Sequence, residues 1–410
     1  METSPFVRPQ PAPPQSASTR RSCIAGIGQT EYRRFGGHTE HNEFQLACVA
    51  MQAAARDAGI ATAEIDGLVS FADPAGDPSM LQLALGIPEL RYSALAWGGR
   101  GGAGCGAVAL AAAAIESGQA KTVAVVRSLS QGRTRRYGKF FSARAHANFT
   151  APFGLLSPAQ MMALALQRYS HEYGQDLQEA MLQIVLACRD NAQRNPRALT
   201  YGKPLTRESY FTSRPIADPL RLNDCCLESD GACAVIVTSA QRAQSLRAGP
   251  VVEIAAAAQH GPAGWSTGYM GSHNMPREDY GRSGGQRELA QHLYAQAGVS
   301  PQDIDVAQIY DHFSGMVLLS LEDFGFCSPG QAPEFVCAGQ IARGGKLPIN
   351  TAGGNLSEAY VHGLNLVVEG VRQLRGDSTS QVEDPRLCLV SSGSGILPSS
   401  GLILRRGEIQ

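Results

Sequence analysis

Residues 57–66 read "DAGIATAEID", and residues 296–305 read "QAGVSPQDID". Both fit A-G-[IV]-x3-[ED]-I-D. Each follows alanine-rich helical text, Ala47 to Ala58 in the first copy and "RELAQHLYAQAG" in the second. Each then runs into an apolar segment, "GLVSF" (67–71) or "VAQIY" (306–310). The order is helix, glycine stop, turn and strand, twice. Two such units about 240 residues apart predict a duplicated α/β architecture.

The surrounding text fits that reading. "CIAGIG" (23–28), "KTVAVVRS" (121–128), "ACAVIVTS" (232–239), "VVEIAAAA" (251–258) and "RLCLVSSG" (386–393) are short buried-strand candidates. They alternate with helical stretches at 102–117, 158–173, 178–193 and 358–375. Such alternation predicts mostly parallel sheets with helices on both sides. Segment 138–222 has no counterpart in the second half and reads as an inserted, largely helical loop domain. The predicted organisation is a tail at 1–21, one half at 22–245 that contains the insert, and a second half at 246–410. Five prolines and no apolar stretch in the first 20 residues indicate disorder, and no signal peptide is visible.

Composition excludes little but narrows the class. With 43% hydrophobic and 17% charged residues and a net charge of −1, the chain resembles ordinary globular proteins. Nothing in that balance points to nucleic acid or a membrane surface. No apolar run approaches the roughly 18 residues of a transmembrane helix. The ten cysteines are thinly spread without a CxxC pair. Cys225, Cys226 and Cys233 read as small buried residues, so no metal site is expected and the compartment is taken as the cytoplasm.

Four stretches carry candidate chemistry. In "NTAGGNLSEAYVHGLN" (350–365), two glycines turn the chain before a helix expected to begin near Ser357. Leu364, Val367, Val368, Val371 and Leu374 form its apolar face. Tyr360 lies four residues before Leu364 and shares that face, whereas His362 falls with Asn365 and Arg372 on the polar one. Tyr360 is therefore the site-facing candidate, or else a core tyrosine with a satisfied hydroxyl, and His362 is expected to face away. In "AWGGRGGAGCGAVALAAAAIESG" (96–118), glycines ahead of an alanine helix can present backbone N–H groups to a negative atom. Cys105, about one turn into that helix, is a nucleophile candidate or a packing residue. "YDHFSG" (310–315) ends a predicted strand, where α/β sheets place ligands, and offers Tyr310, Asp311 and His312. "RSLSQGRTRRYGKF" (127–140) is a basic loop, either solvated or binding phosphate.

Together with "GIGQTE", "DCCLESDGACAVIVTSAQRA" and "IYDHFSGMVLLSLEDFGFC", these strings resemble the thiolase superfamily, in its lipid-transfer-protein or sterol-carrier-type thiolase-like branch. The resemblance spans residues 23–405. It implies a duplicated five-layer αβαβα fold, a homodimer and a CoA thioester ligand. The matches also carry departures. The thiolase nucleophile position, 17 residues before the glycine that ends the alanine helix (here Gly118), falls on Gly101. The catalytic histidine position, six residues after Gly354, falls on Tyr360. Tyr310 stands where thiolases have the asparagine of Asn-Glu-Ala-Phe, and the second catalytic cysteine matches Leu389, with Cys388 one residue off.

Condensation through an acyl-cysteine is thereby lost, and the pattern is similar to thiolase-like aldolases that shorten steroid side chains. Such enzymes split a β-hydroxyacyl-CoA into a ketone and a shorter acyl-CoA, with no cofactor beyond the CoA of the substrate. On that resemblance Tyr360 is the base, Tyr310 or His312 the proton donor, and Asp311 the orienter of His312. Amides near Gly101 and Gly393 hold the thioester oxygen. Tyr269 is a candidate for the acyl pocket, and Arg133, Arg135 and Arg136 for the CoA phosphates. The resemblance further implies a small OB-fold, zinc-ribbon partner in an α2β2 assembly. The alternatives are a thiolase using Cys105 or Cys388, and a non-catalytic lipid-binding subunit.

Overall fold

The computed structural model describes residues 21–71, 76–97, 101–130, 151–246, 249–262, 285–396 and 398–407. Among these residues nine strands follow one another across a single sheet, and a short tenth, Arg33–Arg34, pairs beside Ser229 and Asp230. The first half supplies β1 (Ser22–Gln29), β2 (Gly67–Phe71), β3 (Tyr92–Ala96), β4 (Thr122–Leu129) and β5 (Ser229–Ser239). The second supplies β6 (Val252–His260), β7 (Val306–Gln308), β8 (Leu387–Ser392) and β9 (Ser399–Arg406). Their spatial order is β3-β2-β4-β5-β1-β6-β9-β8-β7. Ile349 bridges in parallel to Ala307 of β7, in the place that β3 takes beside β2. The two halves thus repeat one order outward from the seam, where Cys23 and Ile24 pair with Glu253 and Val252. The duplication read from the sequence is borne out.

The repeated decapeptide does the same work in each half. Gly59 (φ 72) and Gly298 (φ 67) take the left-handed backbone that stops a helix. Beyond them, Ile60 N donates to Ala55 O at 3.0 Å and Val299 N to Tyr294 O at 3.1 Å. The final aspartate of each copy then fastens a distant strand. The Asp66 carboxylate accepts from the N–H groups of Lys121 and Thr122 at 2.9 and 2.8 Å, where β4 begins. Asp305 accepts from Arg386 and Leu387 at 2.8 and 2.9 Å, where β8 begins.

The sheet is mixed, not mostly parallel as the alternation predicted. Strands β2, β3 and β4 run parallel, as do β7 and β8. Strand β5 is antiparallel to β4 and β1, and β9 to β8 and β6. A strand buried on both faces reads as a continuous apolar run whichever way its neighbours go, so the sequence carried no signal for direction.

Helix α1 (Glu43–Asp57) covers the outer side of β1, β4 and β5. Helix α2 (Gly104–Glu116) touches β2, β4 and β5 of the first half and β6, β8 and β9 of the second, so it lies between the two. The inserted segment follows with α3 (Pro158–Tyr173) and α4 (Gln178–Arg194). Helix α5 (Gln286–Ala297) covers β6 and β9, and α6 (Ser314–Asp323) follows β7. A single turn, α7 (Gly354–Ser357), precedes α8 (Leu364–Arg375), the second helix of the middle layer, which touches strands of both halves. No helix among the described residues is long and apolar enough to cross a membrane.

Candidate active site

The site forms where the loop after β7 meets the loop between α7 and α8. Asn350, in the segment that leads into α7, is tied to the first of these loops, since its side chain accepts from Ile309 N at 2.8 Å and donates to Ile309 O at 3.0 Å. Gly353 (φ 112) and Gly354 (φ 61) turn the chain after it. A side chain at 354 would strike Asp311 Oδ2, 2.2 Å from an ideal Cβ, so only glycine fits. The insert braces this loop from outside. Asn191 donates to Ile349 O and Asn350 O, Asn195 to Ala352 O, and Thr200 to Ser357 O.

Tyr310 and Tyr360 meet at the centre. Their hydroxyl oxygens are 2.9 Å apart, and both side chains are buried. Each backbone is pinned by a serine. Tyr310 N donates to Ser391 Oγ at 3.0 Å, and Tyr360 N to Ser229 Oγ at 2.8 Å. Ser229 in turn donates to Tyr360 O at 3.0 Å. An ideal Cβ at Gly101 would lie 1.8 Å from Tyr310 Oη. The phenol therefore occupies the space that a side chain at position 101 would need. Gly393 packs on the same glycine run, its own ideal Cβ 2.7 Å from Gly102 Cα. Counting along the chain singled out Gly101, Tyr310 and Tyr360 without showing that Tyr310 meets the other two, and Gly393 was named on the resemblance alone.

His362 corrects the sequence reading. The helix expected from Ser357 is interrupted, because His362 (φ 52) and Gly363 (φ 84) both take left-handed backbone. Tyr360 and His362 thus sit in a loop, where helical periodicity has no meaning. The His362 side chain is fully buried, with its ring centre 5.1 Å from that of Tyr360 and nearly perpendicular to it. Arg127 Nε, from β4, donates to His362 Nδ1 at 2.9 Å. The sequence reading took Arg127 only as the start of a basic loop and His362 as facing away, and it did not single out Ser229 or Ser391. Only the strand-end position of Ser391 and Ser392 in "VSSG" offered a signal.

Asp311 and His312 also depart from expectation. The buried Asp311 carboxylate accepts from Asn355 N at 2.8 Å and Leu356 N at 3.2 Å, so it anchors α7 and does not orient His312. Burial raises its pKa to about 6, against the lowering effect of those amides. His312 lies 5.0 Å from the Tyr310 ring, and neither of its ring nitrogens has a hydrogen-bond partner among the described residues. Burial lowers its pKa to about 3, so the ring is neutral.

Neither cysteine alternative gains support. Cys105 is the second residue of α2, nearer the start than predicted, and its thiol is buried against Val390 O and Ser392 Oγ at 3.5 and 3.3 Å. Burial pushes its pKa up to about 12, far from a reactive thiolate. Cys388 is buried on β8 beneath Gly370 of α8, and burial raises its pKa as well. Cys105→Ala is expected to keep most activity, and mass spectrometry after incubation with an acyl-CoA to find no acyl group on Cys105. A folded but inactive variant, or an acylated Cys105, would overturn this.

Tyr269, Arg133, Arg135 and Arg136 lie outside the described residues. One open depression of about 540 Å³, lined by Asp176, Arg207 and Arg221 among others, belongs to the insert and includes neither tyrosine. His38, Glu40 and His41 bring ligand-type atoms within 4.8 Å of one another, but Glu40 is already paired with Arg33 at 3.0 Å.

Residues 269–406 match the family described as thiolase C-terminal domain-like. The chain is 40% identical over 396 residues to the 17-hydroxy-3-oxo-4-pregnene-20-carboxyl-CoA lyase of Mycobacterium tuberculosis, covering 94% of this chain and 99% of that protein. It is also 40% identical over 393 residues to a steroid side-chain-cleaving aldolase of Thermomonospora curvata, at 93% and 97% coverage. The solved Ltp2-ChsH2(DUF35) aldolase is similar at 39% identity with a TM-score of 0.87, over 95% of this chain and 99% of that one. A duplicated sheet with two helices between its halves and these relatives lead to one assignment. The chain belongs to the thiolase superfamily, in its sterol-carrier-type thiolase-like branch, with the steroid side-chain-cleaving aldolases.

Proposed function

We propose that this chain is an acyl-CoA retro-aldolase that cleaves a steroid-type β-hydroxyacyl-CoA into a ketone and a shorter acyl-CoA. The observation that carries the reading is the Tyr310–Tyr360 contact at 2.9 Å, with Tyr310 filling the space beside Gly101. Tyr360, as phenolate, takes the β-hydroxyl proton. The Cα–Cβ bond breaks, the hydroxyl carbon becomes the ketone carbonyl, and the electron pair passes into the thioester as an enolate. Amides at Gly101 and Gly393 hold the enolate oxygen. Tyr310 protonates Cα, and the proton now on Tyr360 crosses to Tyr310 and restores both groups. A phenolate accepting from its neighbour is held by a short charge-assisted hydrogen bond, stronger than a neutral one. Tyr310 is favoured over His312 as donor because it touches Tyr360, whereas His312 has no hydrogen-bond partner among the described residues. Arg133, Arg135 and Arg136 remain candidates for the CoA phosphates, and Tyr269 for the acyl pocket.

The solved relative is an Ltp2-ChsH2(DUF35) aldolase, which supports a second subunit here. We take that partner to be a small OB-fold, zinc-ribbon chain, in an α2β2 assembly built on a homodimer of this chain. All ten cysteines are free, which fits a reducing compartment such as the cytoplasm. One experiment tests function and assembly together. The chain is purified alone and co-expressed with its partner, each sample is sized by light scattering, and both are given a panel of β-hydroxyacyl-CoAs. The expected result is ketone plus acyl-CoA, with higher solubility and turnover in the co-expressed sample. Tight binding without turnover in both samples would favour the non-catalytic reading. A fully active dimer that gains nothing from the partner would reject the assembly.

A further inference from the structure

The stretch "HTEHN" (38–42) leads into α1, and both of its ends are held. At its start the chain turns at Arg34–Gly37, with Gly36 at φ 76 and Gly37 N donating to Arg34 O at 2.7 Å. At its end Asn42 caps α1. Its side chain accepts from Gln45 N and its backbone N–H donates to Gln45 Oε1, both at 2.9 Å. Within this span one ligand-type atom from each of His38, Glu40 and His41 lies within 4.8 Å of the other two.

His38 is 7% exposed, and its ring is oriented as that of a metal-bound histidine would be. Its Nε2 lies 2.9 Å from the backbone carbonyl oxygen of Glu31, which can only accept, so Nε2 carries the proton. The neutral ring then keeps a lone pair on Nδ1. That atom is buried and has no hydrogen-bond partner among the described residues. A buried polar atom left so is costly and calls for a partner. Histidines that bind a metal through one nitrogen commonly donate the other N–H to a backbone carbonyl.

We propose that His38 Nδ1, Glu40 and His41 form a binding site for a divalent ion of the zinc class, which clamps the segment between the short strand Arg33–Arg34 and α1. Two imidazoles with one carboxylate suit zinc and its neighbours, whereas magnesium and calcium take oxygen ligands. Three protein ligands leave a fourth position for water. Ligands about 2.0–2.1 Å from a tetrahedral ion stand roughly 3.4 Å apart. The three atoms therefore have to draw in by no more than about 1.4 Å from their present separation. Neither Glu40 nor His41 is buried, so both side chains are free to make that movement. Arg33 Nη1 holds both Glu40 oxygens, at 3.0 and 3.2 Å, while its Nη2 holds Glu31 at 3.1 Å. One Glu40 oxygen can turn to the ion while the other keeps Arg33, the kind of outer hydrogen bond that steadies a ligating carboxylate. Strand Arg33–Arg34 pairs with Asp230 and Ser229, and Ser229 pins the backbone of Tyr360. The ion thus stiffens a support of the active site without meeting the reacting groups.

The inference stands apart from the aldolase reading, and its test does not use turnover. The full chain is purified without a second subunit, so that no other chain supplies metal. It is stripped with a chelator and titrated with Co²⁺, then with Zn²⁺ in competition. One Co²⁺ per chain is expected, with ligand-field bands in the visible that Zn²⁺ removes and excess Mg²⁺ or Ca²⁺ leaves alone. Zinc should also raise the Tm, since an ion that binds only the folded chain stabilises it. Glu40→Gln and His41→Ala change side chains that are not buried, so both variants should fold as wild type. Each should weaken Co²⁺ binding by about tenfold or more, the least that losing even an outer partner of a metal site costs. The Tm rise should shrink with it. In crystals soaked with zinc, the anomalous scattering peak should lie against His38 Nδ1, which tests that buried ligand without substituting it. Three results would each overturn the proposal. One is no binding at one ion per chain. Another is wild-type affinity in both folded variants, which would mean an adventitious surface ion only. The third is a sulfur-to-cobalt charge-transfer band in the near ultraviolet, which would put the ion on cysteines.

Discussion

Tyr360→Phe is expected to lower turnover by roughly 10²-fold or more, the usual scale for losing a general acid–base group. The ring and its buried packing against His362 survive this change, so KM for the acyl-CoA should stay close to wild type. The variant loses only the hydroxyl that lies 2.9 Å from Tyr310 Oη. A hydrogen bond of that kind is worth about 1 kcal/mol, too little to unfold a domain of ordinary stability. Low activity in a variant with a near-normal Tm therefore reads as lost chemistry. Steady-state kinetics with a cleavable β-hydroxyacyl-CoA, alongside thermal unfolding, decide the matter. Near-wild-type turnover would remove Tyr360 from the mechanism and leave the hydroxyl as a satisfied core group.

Gly101→Ala should be as damaging, for a steric reason. Gly101 does not have a left-handed backbone, so alanine meets no conformational objection there. Its methyl group, however, would lie 1.8 Å from Tyr310 Oη and 2.5 Å from Cζ, where real contacts stay beyond 3.0 Å. The phenol has to swing by more than 1 Å, or the loop carrying residue 101 has to retreat. Either movement separates Tyr310 from Tyr360 or opens the glycine wall, and misplacements of about 1 Å can reduce rates by roughly 10²-fold. Gly101→Cys, which restores a thiol at the thiolase nucleophile position, should lose aldolase activity for the same reason and gain no acyltransferase activity. The result that would sink this account is a Gly101→Ala enzyme that folds and turns over normally, because Tyr310 would then not be needed where the structure holds it.

Much of the fold was legible because its signals are local. A glycine after an alanine-rich helix needs left-handed backbone wherever it occurs, and the aspartate seven residues after it caps a neighbouring strand in both halves. Helices at 158–173 and 178–193 were read almost to the residue because their flanks carry turn and capping residues. Strands β3 and β9 escaped notice. Strand β3 lies at a sheet edge with alternating exposure, and β9 opens on serines and a glycine that read as loop. Strand direction was invisible, and so was the mixed character of the sheet.

In the site, counting along the chain reached Gly101, Tyr310 and Tyr360, because each sits at a fixed offset from a glycine turn or a strand end. Sequence could not say that the two phenols touch, since 50 residues separate them and tertiary packing alone sets their distance. It misjudged His362 for a definite physical reason. His362 precedes α8 in a left-handed bend, where helical periodicity does not apply, and α8 itself has no solvent side for a polar face to mark. Lying between the two halves of the sheet, it is buried from Leu364 to Arg375, so a polar face there marks internal partners and not water. Arg127 looked like the first residue of a basic loop, yet it ends up buried against a histidine 235 positions away. The sequence by itself determined the duplicated architecture and which loops turn toward the site. Which side chains share one pocket, and what charge surrounds them, was decided only when both halves closed around the middle helices, because electrostatic potential depends on distance in space and not along the chain.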